Sequence, residues 1–337
     1  MSLLLEARNV GKIYSGGLFS KKKTVALRST SLQIPDSPPT ITAIAGESGS
    51  GKTTLARLLL GIVKPTEGDI FYQGKSLSRL NDEERRHFRR EVQAVFQDPF
   101  EVYNPFYKVD HALVQPVEKF YPKLDKREST QVIEEALRAV GLRPEETLGR
   151  YPHQLSGGQR QRIMAARALV LRPRIIVADE PVSMVDASLR ATILESLLKV
   201  HVEYGISLIY ITHDLTTAYQ LCETIMMMYQ GMVVESGSVD LVIKEPQHPY
   251  TQLLVDSIPL PNPKQKWGQL DFGVRALRDG GAVNGGCPFA GRCPHVMDIC
   301  REAVPPHYRT HAQRSVACYL YQDAPVALPE EVAARAG

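Results

Sequence analysis

Residues 40–54 read TITAIAGESGSGKTT, which joins an apolar β-branched run, a glycine-rich turn and a segment of good helix formers. The run at 40–45 predicts a buried strand, and the apolar spacing at 53–63 predicts a helix. The turn between them fits the pattern GxxxxGK[ST], which is specific when a strand precedes it and a helix follows. Glycines in such a turn let the backbone amides point inward around phosphate oxygens. The sequence therefore predicts a loop that binds the phosphates of a nucleotide.

Each part of this loop has a predicted role. Lys52 supplies a mobile positive charge for the β and γ phosphates, and the Thr53 hydroxyl is a hard oxygen ligand for magnesium. The following helix adds the positive end of its dipole. The residues predicted to contact the nucleotide here are Gly46, Glu47, Ser48, Gly49, Ser50, Gly51, Lys52, Thr53 and Thr54.

Two adjacent acidic residues end another apolar run, RIIVADE at 174–180. The carboxyl edge of an open α/β sheet is where ligands bind, so these carboxylates belong to the predicted site. Asp179 is expected to hold magnesium through its water shell. Glu180, on the opposite side of the strand end, is expected to orient and deprotonate the attacking water.

A second anion site is predicted at LSGGQ, residues 155–159. Ser156 is well placed to cap a helix, and Gly157 and Gly158 leave bare amides at the helix start, followed by Gln159. A single nucleotide needs only one such site for its terminal phosphate. The second one therefore predicts a phosphate that is contacted from across a dimer interface.

In this order and with these gaps, the motifs resemble those of the ATP-binding cassette (ABC) ATPases over about residues 1–240. The resemblance implies an α/β fold with a P-loop NTPase core: a RecA-like mixed sheet, an N-terminal antiparallel β subdomain and a helical subdomain at about 98–170. It also implies that ATP and Mg²⁺ are bound.

Further roles follow from the resemblance alone. Gln97 matches the loop glutamine that contacts magnesium and senses the membrane partner. Tyr14 matches the aromatic residue that stacks on adenine. Asp186 matches the aspartate that crosses to the dimer mate, and His213 matches the switch histidine that contacts the γ phosphate. With Lys52 and Glu180, His213 completes the expected catalytic set.

The remaining residues, 241–337, resemble the C-terminal extension of oligopeptide and dipeptide importer ATPases. The resemblance rests on HPYT at 248–251 and on four late cysteines, and a basic loop at 21–23 is similar to one in the second ATPase of such systems. Some relatives with this extension import oligosaccharides or nickel, so these cargoes remain alternatives to peptides.

The four cysteines form a predicted metal site. Intervals of five, six and seventeen residues fit neither the usual ferredoxin nor the usual zinc-finger runs, so the residues alone leave an iron–sulfur cluster, zinc and free thiols open. The family resemblance implies a 4Fe–4S cluster. Its expected ligands are Cys287, Cys293, Cys300 and Cys318.

Composition limits the class of protein. The chain of 337 residues has a net charge of only +3, no apolar run long enough to span a membrane, and no signal-peptide pattern. The basic and acidic residues at 79–91 balance, which favours a solvated helix and no nucleic-acid partner. The methionines at 226–228 are expected in a core strand, and Cys222 is expected as a buried thiol in a helix.

Together these features predict the ATP-hydrolysing subunit of a peptide importer on the cytoplasmic face of the cell membrane. The expected partners are a second, identical or homologous ATPase subunit, two permease subunits and an extracytoplasmic substrate-binding protein. The rivals are an ABC ATPase outside transport, such as a translation or DNA-repair factor, and an iron–sulfur redox sensor. The rival ATPases commonly carry two fused cassettes or long coiled-coil insertions, and neither is present in this sequence.

Overall fold

A computed structural model describes residues 2–15, 23–97, 103–183, 185–258, 285–328 and 332. Most of the expected basic loop at 21–23 therefore lies outside the described residues. The strands of the described chain are β1 (Leu3–Ser15), β2 (Lys23–Pro35), β3 (Ile41–Ala45), β4 (Glu67–Tyr72), β5 (Lys75–Ser76), β6 (Val92–Val95), β7 (Ile175–Asp179), β8 (Ser207–Thr212), β9 (Thr224–Tyr229), β10 (Met232–Ser238), β11 (Tyr308–His311) and β12 (Arg314–Val316).

The α-helices vary from four to eighteen residues. In chain order they are α1 (Lys52–Leu59), α2 (Asp82–Glu91), α3 (Asp110–Phe120), α4 (Lys126–Ala139), α5 (Pro144–Thr147), α6 (Gly157–Leu169), α7 (Ala187–Tyr204), α8 (Leu215–Leu221), α9 (Val239–Lys244), α10 (Pro249–Asp256) and α11 (Asp298–Glu302). Within the described ranges, no helix is both long and apolar enough to cross a bilayer.

The chain divides into two compact units. The first comprises residues 1–35, 42–78 and 212–337, and the second comprises 36–41 and 79–211. The first contains the phosphate loop and the cysteines, whereas the second contains the acidic strand end and LSGGQ. The domain limits proposed from the sequence, 1–240 and 241–337, stay a prediction.

The first unit contains an antiparallel sheet in the order β2-β1-β4-β5. β1 pairs with β2, with Ala7 opposite Leu32, and with β4, with Ala7 opposite Ile70. The alternation of apolar and polar residues predicted this N-terminal pair, because one face of an antiparallel sheet is buried and the other is solvated.

The other strands of the first unit follow the order β11-β12-β10-β9-β3. β3 and β9 run parallel, and every residue of both is buried. Strands covered on both faces are apolar along nearly their whole length, which explains the methionine run in β9. The prediction that these methionines lie in a core strand is confirmed. β10 pairs antiparallel with β9 on one side and with β12 on the other, so residues from beyond 300 form part of this sheet.

The second unit has three parallel strands in the order β8-β7-β6. Its helix α2 begins with a reciprocal capping box between Asn81 and Glu84, and Phe88 is its one buried residue. This confirms the prediction that the charged stretch at 79–91 is a solvated helix.

Two predicted boundaries were wrong by a few residues. The first helix ends at Leu59 rather than at 63, because Gly61 adopts a left-handed φ of 65° and donates its N–H to Leu58 O at 2.9 Å. Cys222 is buried as predicted, but it lies one residue beyond α8 rather than in a helix, and burial raises its thiol pKa.

Candidate functional site

The phosphate loop has a backbone that only glycine fits at two positions. Gly46 has a φ of 150°, and a Cβ placed there would lie 2.2 Å from Met228 O. Gly51 has a φ of 105°, and its Cβ would lie 2.6 Å from Ala26 O. The first contact is with the backbone of β9 and the second with the backbone of β2, so the loop lies directly against both strands and its path is fixed.

Lys52 begins α1 and is buried beneath the loop. Its Nζ donates to Gly46 O at 2.7 Å and to Glu47 O at 2.9 Å. The ammonium group therefore lies inside the turn of the loop, at the N-terminal end of a helix whose N-cap, Gly51, offers no side chain. The uncapped amides and the buried cation together form an anion-binding cradle.

Tyr14 and Thr53 have the exposure that their predicted roles require. The Tyr14 side chain is 37% exposed, and Lys12 Nζ lies 5.3 Å from its ring centroid. Thr53 is exposed in the first turn of α1. Their contacts with adenine and magnesium remain predictions.

The acidic pair lies at the end of β7. Asp179 is the last residue of the strand and is buried, and Glu180 follows with a φ of 48°, a left-handed conformation that a glutamate rarely adopts. The Glu180 N–H donates to Ile211 O at 2.9 Å, which holds this backbone in place. Such strain costs about 1–3 kcal/mol and is concentrated at functional sites.

Ser156 caps α6 as predicted. Its Oγ accepts from the N–H of Gln159 at 3.2 Å, and the Gln159 side chain accepts from the N–H of Ser156 at 2.9 Å. Gly157 faces open space, whereas a Cβ on Gly158 would lie 3.0 Å from Leu189 Cδ1. The first turn of this helix is thus open on one side, as a surface that receives an anion must be.

The remaining predicted residues are also accessible. Gln97 follows β6, His213 follows β8, and Asp186 is the N-cap of α7; all three are exposed. Tyr14, the phosphate loop and His213 belong to the first unit, whereas Gln97, Asp179, Glu180, Asp186 and LSGGQ belong to the second. Their roles in binding and catalysis stay predictions.

The four late cysteines are brought together. They line one cavity of about 10 Å³, with His248 and Phe289 among its other residues. None forms a disulfide, and the Cys287 N–H donates to Cys300 O at 2.7 Å. Burial raises the thiol pKa of Cys293 to about 11 and that of Cys318 to about 12, so both thiols are protonated at neutral pH unless a cation displaces the proton.

The expected metal site is not formed among the described residues. Among the described residues, no three His, Cys, Asp or Glu side chains are gathered closely enough to coordinate one metal ion. Spacing along the sequence could not predict this, because it fixes which cysteines are close along the chain but not the distances between their sulfur atoms.

Two residues that the sequence analysis did not assign to the site contact the phosphate loop. Tyr250 accepts a hydrogen bond from the Glu47 N–H, and Arg292 forms an ion pair with the Glu47 carboxylate. The run HPYT drew attention to Tyr250 only as a mark of resemblance. No sequence pattern indicated that Arg292 contacts the loop, because it lies 245 residues from Glu47 along the chain.

Comparisons with known proteins agree with this architecture. The ABC transporter family matches residues 27–183, and the C-terminal region of oligopeptide/dipeptide transporters matches residues 234–300. The putative oligopeptide transport ATP-binding protein YkfD of Bacillus subtilis (strain 168) is 38% identical over 327 residues, which cover 95% of this chain and 96% of YkfD. The chain belongs to the ABC transporter family.

Other ABC proteins support the same assignment. The di/tripeptide transport ATP-binding protein DppF of Pseudomonas aeruginosa (strain UCBPP-PA14) is 36% identical over 328 residues, 95% of this chain and 98% of DppF. The ATP-binding cassette MJ0796, solved as a dimer bound to ADP and Pi, is 30% identical with a TM-score of 0.61 over 70% of this chain and 98% of MJ0796. The predicted ABC cassette fold is confirmed, and so is the prediction that the chain is an ATP-hydrolysing transporter subunit.

Proposed function

We propose that this chain hydrolyses ATP to drive the uptake of short peptides through a membrane importer. The observation that carries the proposal is the presence, on one chain, of the ABC cassette and the oligopeptide/dipeptide C-terminal region. Relatives that match nearly the whole chain are named for oligopeptide and di/tripeptide transport, which supports peptides over oligosaccharides or nickel as the cargo.

In the proposed reaction, the loop amides and Lys52 hold the β and γ phosphates of ATP. Thr53, Asp179 and Gln97 are suitable magnesium ligands because each presents oxygen atoms, the donors that this ion prefers. Bound magnesium would neutralise charge on the phosphates. Glu180 accepts a proton from the attacking water, and His213 contacts the γ phosphate.

The chain carries one phosphate loop and one LSGGQ segment, so we propose that it acts as a dimer with a copy of itself or a relative. Ser156 and Gly158 of one chain would complete the phosphate site of the other, and Asp186 would cross to the mate. The dimer of the MJ0796 cassette supports this arrangement. The open first turn of α6 is the surface that such pairing requires.

Permease subunits and an external binding protein complete the proposed machine. A groove of about 520 Å³ in the second unit supports a membrane partner. Among its lining residues, Arg89, Lys108, Lys119 and Arg167 are basic and none is acidic, while Tyr107 and Phe120 are aromatic. These features suit a permease segment that carries apolar and acidic side chains. The chain would then lie on the cytoplasmic face of the membrane.

The test of this function is peptide-dependent turnover. The chain is co-purified with its permease subunits, reconstituted in liposomes and supplied with the binding protein. Because transport couples cargo delivery to ATP hydrolysis, we expect di-, tri- or oligopeptides to raise the rate of phosphate release. Stimulation by an oligosaccharide or nickel, but by no peptide, would contradict the proposed cargo. Failure to co-purify with any permease would contradict the transport role.

We also propose that the four cysteines bind a 4Fe–4S cluster. The four cysteines line one cavity, which supports a group that all four could hold together. The thiol chemistry fits, since cysteine thiolates are the usual ligands of iron–sulfur clusters.

Anaerobically purified protein should be brown, absorb broadly in the blue part of the visible spectrum, and contain iron and acid-labile sulfide. Changing Cys287, Cys293, Cys300 and Cys318 together to serine should remove the colour and the iron. The matched control is Cys222→Ser, because this buried thiol lies outside the pocket. Colourless protein with stoichiometric zinc would overturn the cluster and favour zinc.

A further inference from the structure

The C-terminal extension contacts the phosphate loop through a forked ion pair. Arg292 Nη1 lies 2.9 Å from Glu47 Oε2, and Arg292 Nη2 lies 3.0 Å from Glu47 Oε1. Two parallel N–H donors on one carboxylate fix the orientation of both side chains as well as their distance. Apart from the predicted contact of Glu47 with the nucleotide, the chemistry proposed above gives neither side chain a role, so this pair needs a separate explanation.

A second bond from the extension reaches the backbone of the same residue. The Tyr250 hydroxyl oxygen accepts from the Glu47 N–H at 2.8 Å, and Tyr250 is fully buried at the start of α10. Loop amides are the groups that hold phosphate oxygens. Because the Tyr250 hydroxyl accepts the Glu47 N–H, it fixes the orientation of this amide and therefore the orientation of the peptide planes that follow in the loop.

Aromatic side chains pack around the contact. The Phe289 ring lies 5.3 Å from the Tyr229 ring and 5.7 Å from the Tyr250 ring. Arg292 Cζ lies 5.7 Å from the Tyr229 centroid and 5.5 Å from the Phe289 centroid, so the guanidinium has aromatic neighbours as well as the carboxylate. An arginine held in this way loses little further freedom when it pairs, which distinguishes it from an ordinary surface ion pair.

The segment that contains Arg292 also contains two of the four cysteines. Arg292 directly precedes Cys293, its N–H donates to Phe289 O at 2.9 Å, and the Ala290 N–H donates to Cys287 O at 3.0 Å. Cys287, Phe289 and Cys293 line the cysteine pocket. The position of the guanidinium is therefore set by the turn at residues 287–293, whose ends are two of the four cysteines.

We propose that Arg292 and Tyr250 are positioning residues for the phosphate loop. Through these two residues, how well ordered the cysteine turn (residues 287–293) is sets the affinity of the loop for ATP. Arg292 also neutralises a carboxylate that lies in a loop built to receive a polyanion. The proposal rests on ATP binding at this loop and does not depend on which group the cysteines hold. Linkage makes the effect reciprocal: ATP binding must stabilise the cysteine turn by the same factor.

Steady-state kinetics of the isolated chain test the positioning role. Arg292→Gln should raise the KM for ATP about 5-fold, the scale of a pair near the surface, with kcat at saturating ATP nearly unchanged. Arg292→Lys should not restore the KM, because a lysine lacks the fork. Tyr250→Phe should raise the KM in the same direction, since it removes the acceptor for the Glu47 N–H.

Matched controls separate this role from general damage to the extension. Arg301→Gln removes an exposed arginine of α11, and Tyr321→Phe removes a hydroxyl that donates to Gln247 O rather than to the loop. Both should leave the KM at the wild-type value. In a Glu47→Gln background, Arg292→Gln should have little further effect. A KM for Arg292→Gln equal to that of Arg301→Gln, or an undiminished effect in the Glu47→Gln background, overturns the proposal.

Hydrogen exchange tests the reciprocal effect without measuring activity. Saturating MgATP should slow amide exchange in residues 287–293 of the wild-type chain, and this slowing should be lost in Arg292→Gln. Equal protection in both chains, or none in a wild-type chain that binds ATP, refutes the coupling and leaves the ATP site intact. A wild-type chain that does not bind ATP would instead place the failure in the ATP site itself.

Discussion

Glu180→Gln is expected to slow ATP hydrolysis by about 10²-fold or more, the scale of a lost general base, while ATP still binds. The amide keeps the shape and length of the side chain but cannot accept the proton of the attacking water. Because the nucleotide then persists, the variant should form a stable dimer in MgATP. Phosphate release measures the first effect, and light scattering with and without ATP measures the second.

The control for this change is Glu195→Gln, which removes an exposed carboxylate from α7 and should hydrolyse ATP at the wild-type rate. Near-normal hydrolysis by Glu180→Gln would refute the assignment of the base. The left-handed backbone of Glu180, with φ at 48°, sharpens the test, since glutamine adopts the same backbone at similar cost and only the chemistry of the head group changes.

Gly46→Ala is expected to disrupt the phosphate loop itself. The new Cβ would lie 2.2 Å from Met228 O, so the loop must move away from β9. We expect the free energy of unfolding to fall by about 3 kcal/mol, the upper range for overpacking. With the loop displaced, kcat/KM for ATP should fall by about 10²-fold. Urea unfolding and steady-state kinetics measure the two losses.

Gly74→Ala is the matched control for Gly46→Ala. Gly74 also has a positive φ, 76°, but nothing lies within 4 Å of its Cβ position. It should therefore show only the conformational strain, about 1 kcal/mol, with unchanged kinetics. Equal losses in the two variants would show that φ strain, rather than the collision with β9, dictates glycine at position 46.

Much of the cassette was predictable because its signals are local. The strand, loop and helix around Gly46 and the cap at Ser156 are each encoded within a few consecutive residues. The end of α1 was also encoded locally, by Gly61, but apolar residues continue to position 63 and masked the stop signal.

The contacts that complete the loop were not predictable from such patterns. Arg292 is an arginine in a cysteine-rich turn, and Glu47 is one of the variable positions of the loop pattern. Only the folded chain brings together residues 245 positions apart. The left-handed backbone of Glu180 was also not predictable. Propensity disfavours this conformation for a glutamate, but the position of Glu180 after β7, where its N–H donates to Ile211 O, imposes it.

The pairing of β10 with β12 has a practical consequence for anyone who shortens this protein. Truncation after residue 240, where sequence motifs suggest a minimal cassette, would strip Arg314–Val316 from the edge formed by Glu235, Ser236 and Gly237. A bared strand edge invites pairing between molecules and hence aggregation. Shortened versions should keep residues through 316, or carry charged replacements along that edge, if they are to remain dispersed during expression.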